Sequence, residues 1–207
     1  MIRPLSRALA LVLLTGVLAL AGCSLTREAP VKNTFLLEPA MPPAVAKTQP
    51  VTVRVAAVNV AAPYRGRSFV YRAGPLKFET DYYTEFLVAP AAMFAEQTTR
   101  ALQLAHVFAA VMPPGSGADA DATLEGFVSA LYAEIDNGVP VAAELTITYY
   151  LTPSTGASMP AWSKEYHRHV DVSAHTPAAY AAALNQAFGD VLAELTRDLA
   201  SVQLPKP

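Results

Sequence analysis

Asn137-Gly138 does more than any other pair of residues to restrict what this chain can become. Asparagine followed by glycine favours the two-residue turn with positive φ at both positions, and such a turn joins only antiparallel strands. Long strand-like stretches flank it, Ala122 to Asp136 and Val139 to Leu151. A looser connection from Pro153 to Pro160 leads to a third, Ala161 to Val172, which makes a meander of three strands. In that third strand, alternation sends Trp162, Lys164, Tyr166, Arg168 and Val170 inward. Ser163, Glu165, His167, His169 and Asp171 point outward, so neither row is purely apolar.

Around the meander the pattern changes period. Val51, Val53 and Val55 alternate with Thr52, Arg54 and Ala56, giving a strand over Val51 to Val60 that Pro63 ends. Ser68 to Arg72 and Leu76 to Thr80 are short strands joined through Ala73-Gly74-Pro75. Pro90 opens a helix to about Leu104, with Leu87, Ala91, Phe94, Thr98 and Leu102 facing the core. Val107 to Met112 is a strand, and Pro113 to Gly117 a loop. A last helix runs from about Pro177 to Val202 with a stripe of Leu184, Phe188, Val191, Leu192, Leu195, Leu199 and Val202. Gly189 inside it costs about 1 kcal/mol relative to alanine. Strands, helix, strands, helix imply an α+β fold: an antiparallel-rich sheet with two main helices packed on one face.

The N-terminus follows other rules. Arg3 and Arg7 precede an apolar stretch from Ala8 to Leu20, which is shorter than the roughly 20 residues of a membrane-spanning helix. Polar residues from Ser24 to Lys32 end it, as in a secretory signal peptide over residues 1–22. Leu20-Ala21-Gly22-Cys23 resembles a bacterial lipobox, and Cys23 is the only cysteine, so no disulfide partner exists for it. The resemblance implies a diacylglycerol on the Cys23 sulfur, cleavage before Cys23 and an acyl chain, such as palmitate, on the new amino group. Ser24 stands where aspartate would favour inner-membrane retention, which points to an outer-membrane anchor. Residues 23–50 carry Pro30, Pro39, Pro42, Pro43 and Pro50 and are expected to form a tether, reaching roughly 80 Å if fully extended as polyproline II. Within it, Asn33 to Leu37 is either an edge strand docking on the domain of residues 51–204 or an apolar spot in a linker.

After the leader is removed, 185 residues remain, enough for one domain with its own core. The 15 basic residues fall to 13 against 17 acidic, which gives nucleic acid nothing to bind. There is no nucleophile elbow, no phosphate-binding glycine loop and no Cys/His metal spacing. No enzymatic activity and no cofactor is therefore expected. His167, His169 and Asp171 share one strand face and could hold zinc in a periplasmic metal-dependent hydrolase, or could form an ordinary solvated face. Asp119 and Asp121 could touch calcium or serve solubility; His106 and His175 stand alone at element ends. Tyr82, Tyr83 and Phe86, beside Asp81 and Glu85, form either a core plug at a strand-to-helix junction or a lip that meets a partner protein or lipid.

Val70-Tyr71-Arg72, Leu76-Lys77-Phe78-Glu79 and Asp81-Tyr82-Tyr83-Thr84-Glu85-Phe86 before a helix resemble the ABC-type transport auxiliary lipoproteins. That family includes the lipoprotein of the paraquat-inducible Pqi system. Phe35-Leu36-Leu37 is similar to its short first strand, and the final amphipathic helix agrees. Many members have tryptophan near Phe86, where this chain keeps another aromatic. The resemblance implies a non-catalytic subunit, lipid-anchored in the cell envelope and facing the periplasm. Its partners would be an MCE-family substrate-binding protein with its permease and ATPase, moving lipids or hydrophobic molecules between membranes, with a homo-oligomer compatible with the role. A structural lipoprotein of outer-membrane assembly is the other expectation from the same anchor.

Overall fold

Nine strands and two long helices occupy the described residues, 31–154 and 159–204 of a computed structural model. In chain order they are β1 (Asn33–Phe35), β2 (Gln49–Val55), β3 (Asn59–Val60), β4 (Ser68–Arg72) and β5 (Phe78–Phe86). Helix α1 (Pro90–Leu104) follows, then β6 (Phe108–Met112), β7 (Ala122–Asp136), β8 (Val139–Pro153), β9 (Trp162–Asp171) and α2 (Pro177–Ser201). The expected signal peptide, Cys23 and the start of the Pro-rich segment lie outside the described residues. Among the described residues no helix is long and apolar enough to cross a membrane.

Strand β7 is the spine of the sheet. One edge pairs antiparallel with β8 from Ala122↔Pro153 to Asp136↔Val139. Asn137 (φ 49°) and Gly138 (φ 81°) close the hairpin with the positive angles that this turn demands. The other edge takes three short segments in succession, all parallel: β2 at Ala122–Leu124, β3 at Phe127–Val128 and β4 at Ala133–Glu134. Strand β9 adds antiparallel to β8, β6 parallel to β2, β5 antiparallel to β4, and β1 parallel to β5 at the sheet edge. Five of these eight pairings are parallel, yet the two longest ladders, β7–β8 and β8–β9, are antiparallel. A bulge between Val128 and Ala130 moves the inward row of β7 from Ala122, Leu124 and Val128 to Leu131 and Ala133.

Both helices cover the same face. Phe94 of α1 meets Phe188 of α2 with ring centroids 4.5 Å apart. The Thr98 and Tyr149 hydroxyls are 2.7 Å apart, which joins α1 to β8. Tyr180 of α2 packs edge-on against Phe69 of β4 at 5.1 Å. Pro90 and Pro177 sit at the first turns, and Thr176 caps α2 by accepting from the Ala179 amide at 3.2 Å. The mixed inward row of β9 has its explanation in α2. Lys164 donates to Glu194 at 2.7 Å and Asp198 at 2.8 Å, Tyr166 donates to Asp198 at 2.7 Å, and Arg168 pairs with Glu194. Spaced four apart on the helix, the two carboxylates match side chains spaced two apart on the strand.

Three expectations change. The single strand over residues 51–60 is two, β2 and β3, because the chain dips inward at Val58, which is buried. The strand expected at Leu76–Thr80 begins at Phe78 and continues to Phe86. The tether expected over residues 23–50 is part of the fold from Lys32 onward. Leu37 is fully buried, and its amide approaches the Met93 sulfur at 3.3 Å. The Glu38 carbonyl accepts from Asn185 at 3.0 Å, the Val45 amide donates to the Ala105 carbonyl at 2.8 Å, and the Gln49 side chain donates to the Leu199 carbonyl. The strap passes close over Gly189, where a Cβ would lie 3.5 Å from the Ala40 amide nitrogen, an ordinary contact that leaves room for alanine and little beyond it.

Gly126 marks a second close approach, with a Cβ landing 3.0 Å from Val58 Cγ2 and 3.2 Å from Tyr149 Cε1. Both neighbours are buried, and valine is stiff at χ1. Gly126→Ala should cost about 1–3 kcal/mol in chemical denaturation. Gly117→Ala, with nothing within 4 Å, should leave the midpoint unchanged. Equal stability of the two variants would contradict this packing.

Candidate functional site

The tyrosines singled out by sequence are displayed by an irregularity in β5. Val70 pairs with Thr80 and Ser68 with Glu85, so β5 uses extra residues where β4 uses two. Asp81 holds the excursion: Oδ1 accepts from the Tyr83 amide at 2.7 Å and the Thr84 amide at 3.0 Å, and Oδ2 accepts from the Tyr71 hydroxyl at 2.8 Å. Burial, and then the bond to Asp81, push the Tyr71 hydroxyl up from its ordinary pKa. Neighbours on a regular strand point to opposite faces, but here both rings project together, edge to face at 5.0 Å. Tyr82 is 72% exposed and Tyr83 48%.

Phe86 belongs to the core and not to this lip. It is 2% exposed and packs on Phe69 at 4.6 Å, because the chain has resumed regular pairing and turned inward. Of the expected contact set Tyr82, Tyr83 and Phe86, Phe86 is thus the core plug, and only the two tyrosines are exposed. Further along, Leu36, Leu87 and Val88 are also exposed; Leu87, expected on the core face of α1, precedes the helix and is half exposed instead. The Leu87 amide donates to the Phe35 carbonyl at 2.8 Å, and Arg67 donates to the Leu87 carbonyl at 3.1 Å. Between them the buried Glu85 carboxylate is held by Lys32 at 3.2 Å and Arg67 at 3.0 Å. The Lys32 ammonium lies 5.3 Å from the centre of the Tyr82 ring.

His167, His169 and Asp171 do share one face of β9, on the side of the sheet away from the helices. The residue that organises them is Glu144 of β8, paired with His169 in the ladder. Its Oε2 lies 2.9 Å from His167 Nε2, and its Oε1 contacts His169 Nδ1. Asp171 is 3.4 Å from the other nitrogen of His169. Glu134, Glu144 and His169 bring ligand-type atoms within 4.8 Å of one another, a set that could hold a cation. Both oxygens of Glu144 are engaged by imidazoles, and Arg72 pairs with Glu134 at 3.6 Å, so internal charges already serve these carboxylates. Glu144 was hidden in the sequence because its partners arrive from the next strand; only the hairpin register reveals them. Asp121 is structural, its Oδ2 accepting from the Thr52 amide at 2.7 Å. His175 meets the Pro140 carbonyl at 2.9 Å, and His106 ends α1 with φ 52°.

A groove of about 780 Å³ runs beside α1, lined by Val58, Ala92, Ala95, Pro113 and Pro114, with Glu96 and Arg100 as charged members. Small side chains leave the space open, and this size is ordinary for a small-molecule site.

No protein-family model and no curated protein matches this chain. Solved structures do. Protein XCC0632 of Xanthomonas campestris, of family DUF330, matches with a TM-score of 0.69 and 21% identity, over 79% of this chain and 92% of its own. An uncharacterized protein matches with a TM-score of 0.65 and 13% identity, over 82% and 99%. Lipoprotein GNA1162 of Neisseria meningitidis aligns at a TM-score of 0.38 and 10% identity, over 73% and 99%. The first two likenesses show that this α+β fold occurs in other proteins.

The hydrogen bond to Glu144 raises the His169 pKa above its ordinary 6.5, with Asp171 adding to it. The stabilisation this contributes is complete below the unfolded value and is lost as pH rises through the raised one. NMR titration should find His169 above 6.5 in the native protein and lower in Glu144→Gln. An unchanged His169 in that variant would remove Glu144 as the cause.

Proposed function

We propose that the protein is a lipid-anchored, non-catalytic auxiliary subunit of an MCE-type ABC transport system, held at the periplasmic face of the outer membrane. Its partners are an MCE-family substrate-binding protein with its permease and ATPase, and its cargo is lipid or another hydrophobic molecule. Cys23, acylated after cleavage of residues 1–22, supplies the anchor. Each methylene buried by an acyl chain contributes about 0.8 kcal/mol, so two or three chains hold a domain of this size stably.

One observation carries the proposal: the folded unit begins at Lys32, and Lys32 sits against the exposed Tyr82 and Tyr83 pair. The anchor side of the domain is therefore also the side that displays aromatic surface. Eight residues separate Cys23 from Lys32, and fully extended they span no more than about 30 Å. The subunit then works close to its membrane and not at the far end of a long tether. The open apolar groove beside α1 supports a role in handling hydrophobic matter, by binding it or by receiving an apolar segment of the partner.

Two experiments test this. Cys23→Ala should move the protein out of the membrane fraction; retention there would mean that another element anchors it. Affinity capture from detergent-solubilised envelope should recover an MCE-family protein with its permease and ATPase. Capture of barrel-assembly components with no MCE protein would replace the proposal with an outer-membrane assembly role.

A further inference from the structure

Single exposed apolar side chains are ordinary on protein surfaces, whereas a contiguous set demands an explanation. Tyr82 and Tyr83 form one exposed group, and Leu36, Leu87 and Val88 a second, both at the β1 and β5 end of the sheet. Hydrogen bonds and ion pairs link the two groups through Glu85. The Phe35–Leu87 backbone bond places Leu36 beside Leu87, and Arg67 reaches both Glu85 and the Leu87 carbonyl. Lys32 links Glu85 to the Tyr82 ring.

The two acids nearest the tyrosines, Glu85 and Asp81, are both neutralised or occupied. Glu85, 8% exposed, is held between Lys32 and Arg67. Asp81 is occupied by two backbone amides and the Tyr71 hydroxyl. What remains outward is two amphipathic aromatic rings, three aliphatic side chains and the cations Lys32 and Arg67. Tyrosine rings are enriched where lipid headgroups meet acyl chains, with the apolar ring body buried and the hydroxyl wet. Lysine and arginine suit the phosphates at the same level.

We propose that this face rests on the bilayer that holds the anchor, with Tyr82 and Tyr83 at headgroup depth. The proposal rests on the acylation of Cys23. The chain between Cys23 and Lys32 limits how far the face can stand from that bilayer to about 30 Å, and the Lys32 ammonium lies 5.3 Å from the centre of the Tyr82 ring. Two-point attachment, covalent and interfacial, fixes which way the domain faces, and leaves the groove beside α1 and the outer face of β7 to β9 to the partner.

Depth-dependent fluorescence quenching tests it with the full lipidated protein. The chain has one tryptophan, Trp162, on β9 at the opposite edge of the sheet from β1. In a Trp162→Phe background, Tyr82→Trp places the only indole on the proposed face, and Leu87→Trp provides a second probe if the first disturbs folding. Both proteins are reconstituted in vesicles of phosphatidylethanolamine and phosphatidylglycerol, with or without bromine on the acyl chains. Emission from either probe should shift to the blue and fall by roughly half on the brominated lipid, while Trp162 of the unaltered protein changes little. If the variants float with the vesicles but are quenched no more than Trp162, the face meets water or a protein and the proposal is overturned. If the lipidated preparation does not float, the anchor has failed and the membrane face fails with it.

Discussion

The free edge of β7 is the constraint on which the rest of the structure depends. Buried backbone groups must be hydrogen-bonded, and β8 satisfies only one side of this long strand. The other side is completed by β2, β3 and β4, each short, each parallel, and each earlier in the chain. Parallel neighbours cannot be joined by tight hairpins, so the chain must return to the start of the sheet before β7 begins. Helix α1 makes that return, β6 docks beside β2, and α2 then closes the same face. The strap from Leu37 to Val45 lies over both helices and passes Gly189.

Much of this was legible because local chemistry determined it. Asn137-Gly138 specified its hairpin through positive φ, and Pro90 and Pro177 marked both helix starts. The stripe from Leu184 to Leu199 identified the buried side of α2. Features decided by distant residues were not legible. Val58 interrupts an alternating run because Gly126 leaves room for it across the sheet. Leu37 is buried because α1 offers Met93, and no nearby residue announces that. Proline counts along residues 30–50 suggested a tether, whereas prolines equally suit a strap that pairs with nothing along most of its length.

The same division holds for the candidate site. Tyr82 and Tyr83 could be chosen from sequence because adjacent aromatics beside acids are conspicuous. Which aromatics face outward depended on the Asp81 excursion, which projects Tyr82 and Tyr83 and leaves Phe86 as the core plug. His167, His169 and Asp171 share a face by simple alternation, but their chemistry is governed by Glu144 from the neighbouring strand. That buried carboxylate, between two imidazoles, turns a potential ligand set into a pH-sensitive fastening of β8 to β9. The folded boundary at Lys32 has the largest functional consequence. For the proposed anchor on Cys23 it leaves a short leash in place of a long one, which is what the proposed membrane-facing role of the aromatic end depends on.

Everything functional in this account follows from a lipid on Cys23. Intact mass spectrometry of the protein extracted in detergent from the producing envelope tests that directly. The expected species is a chain beginning at Cys23 and carrying a diacylglycerol and an amide-linked acyl chain. A chain that retains residues 1–22, or one that begins at Cys23 with no added lipid mass, would contradict it.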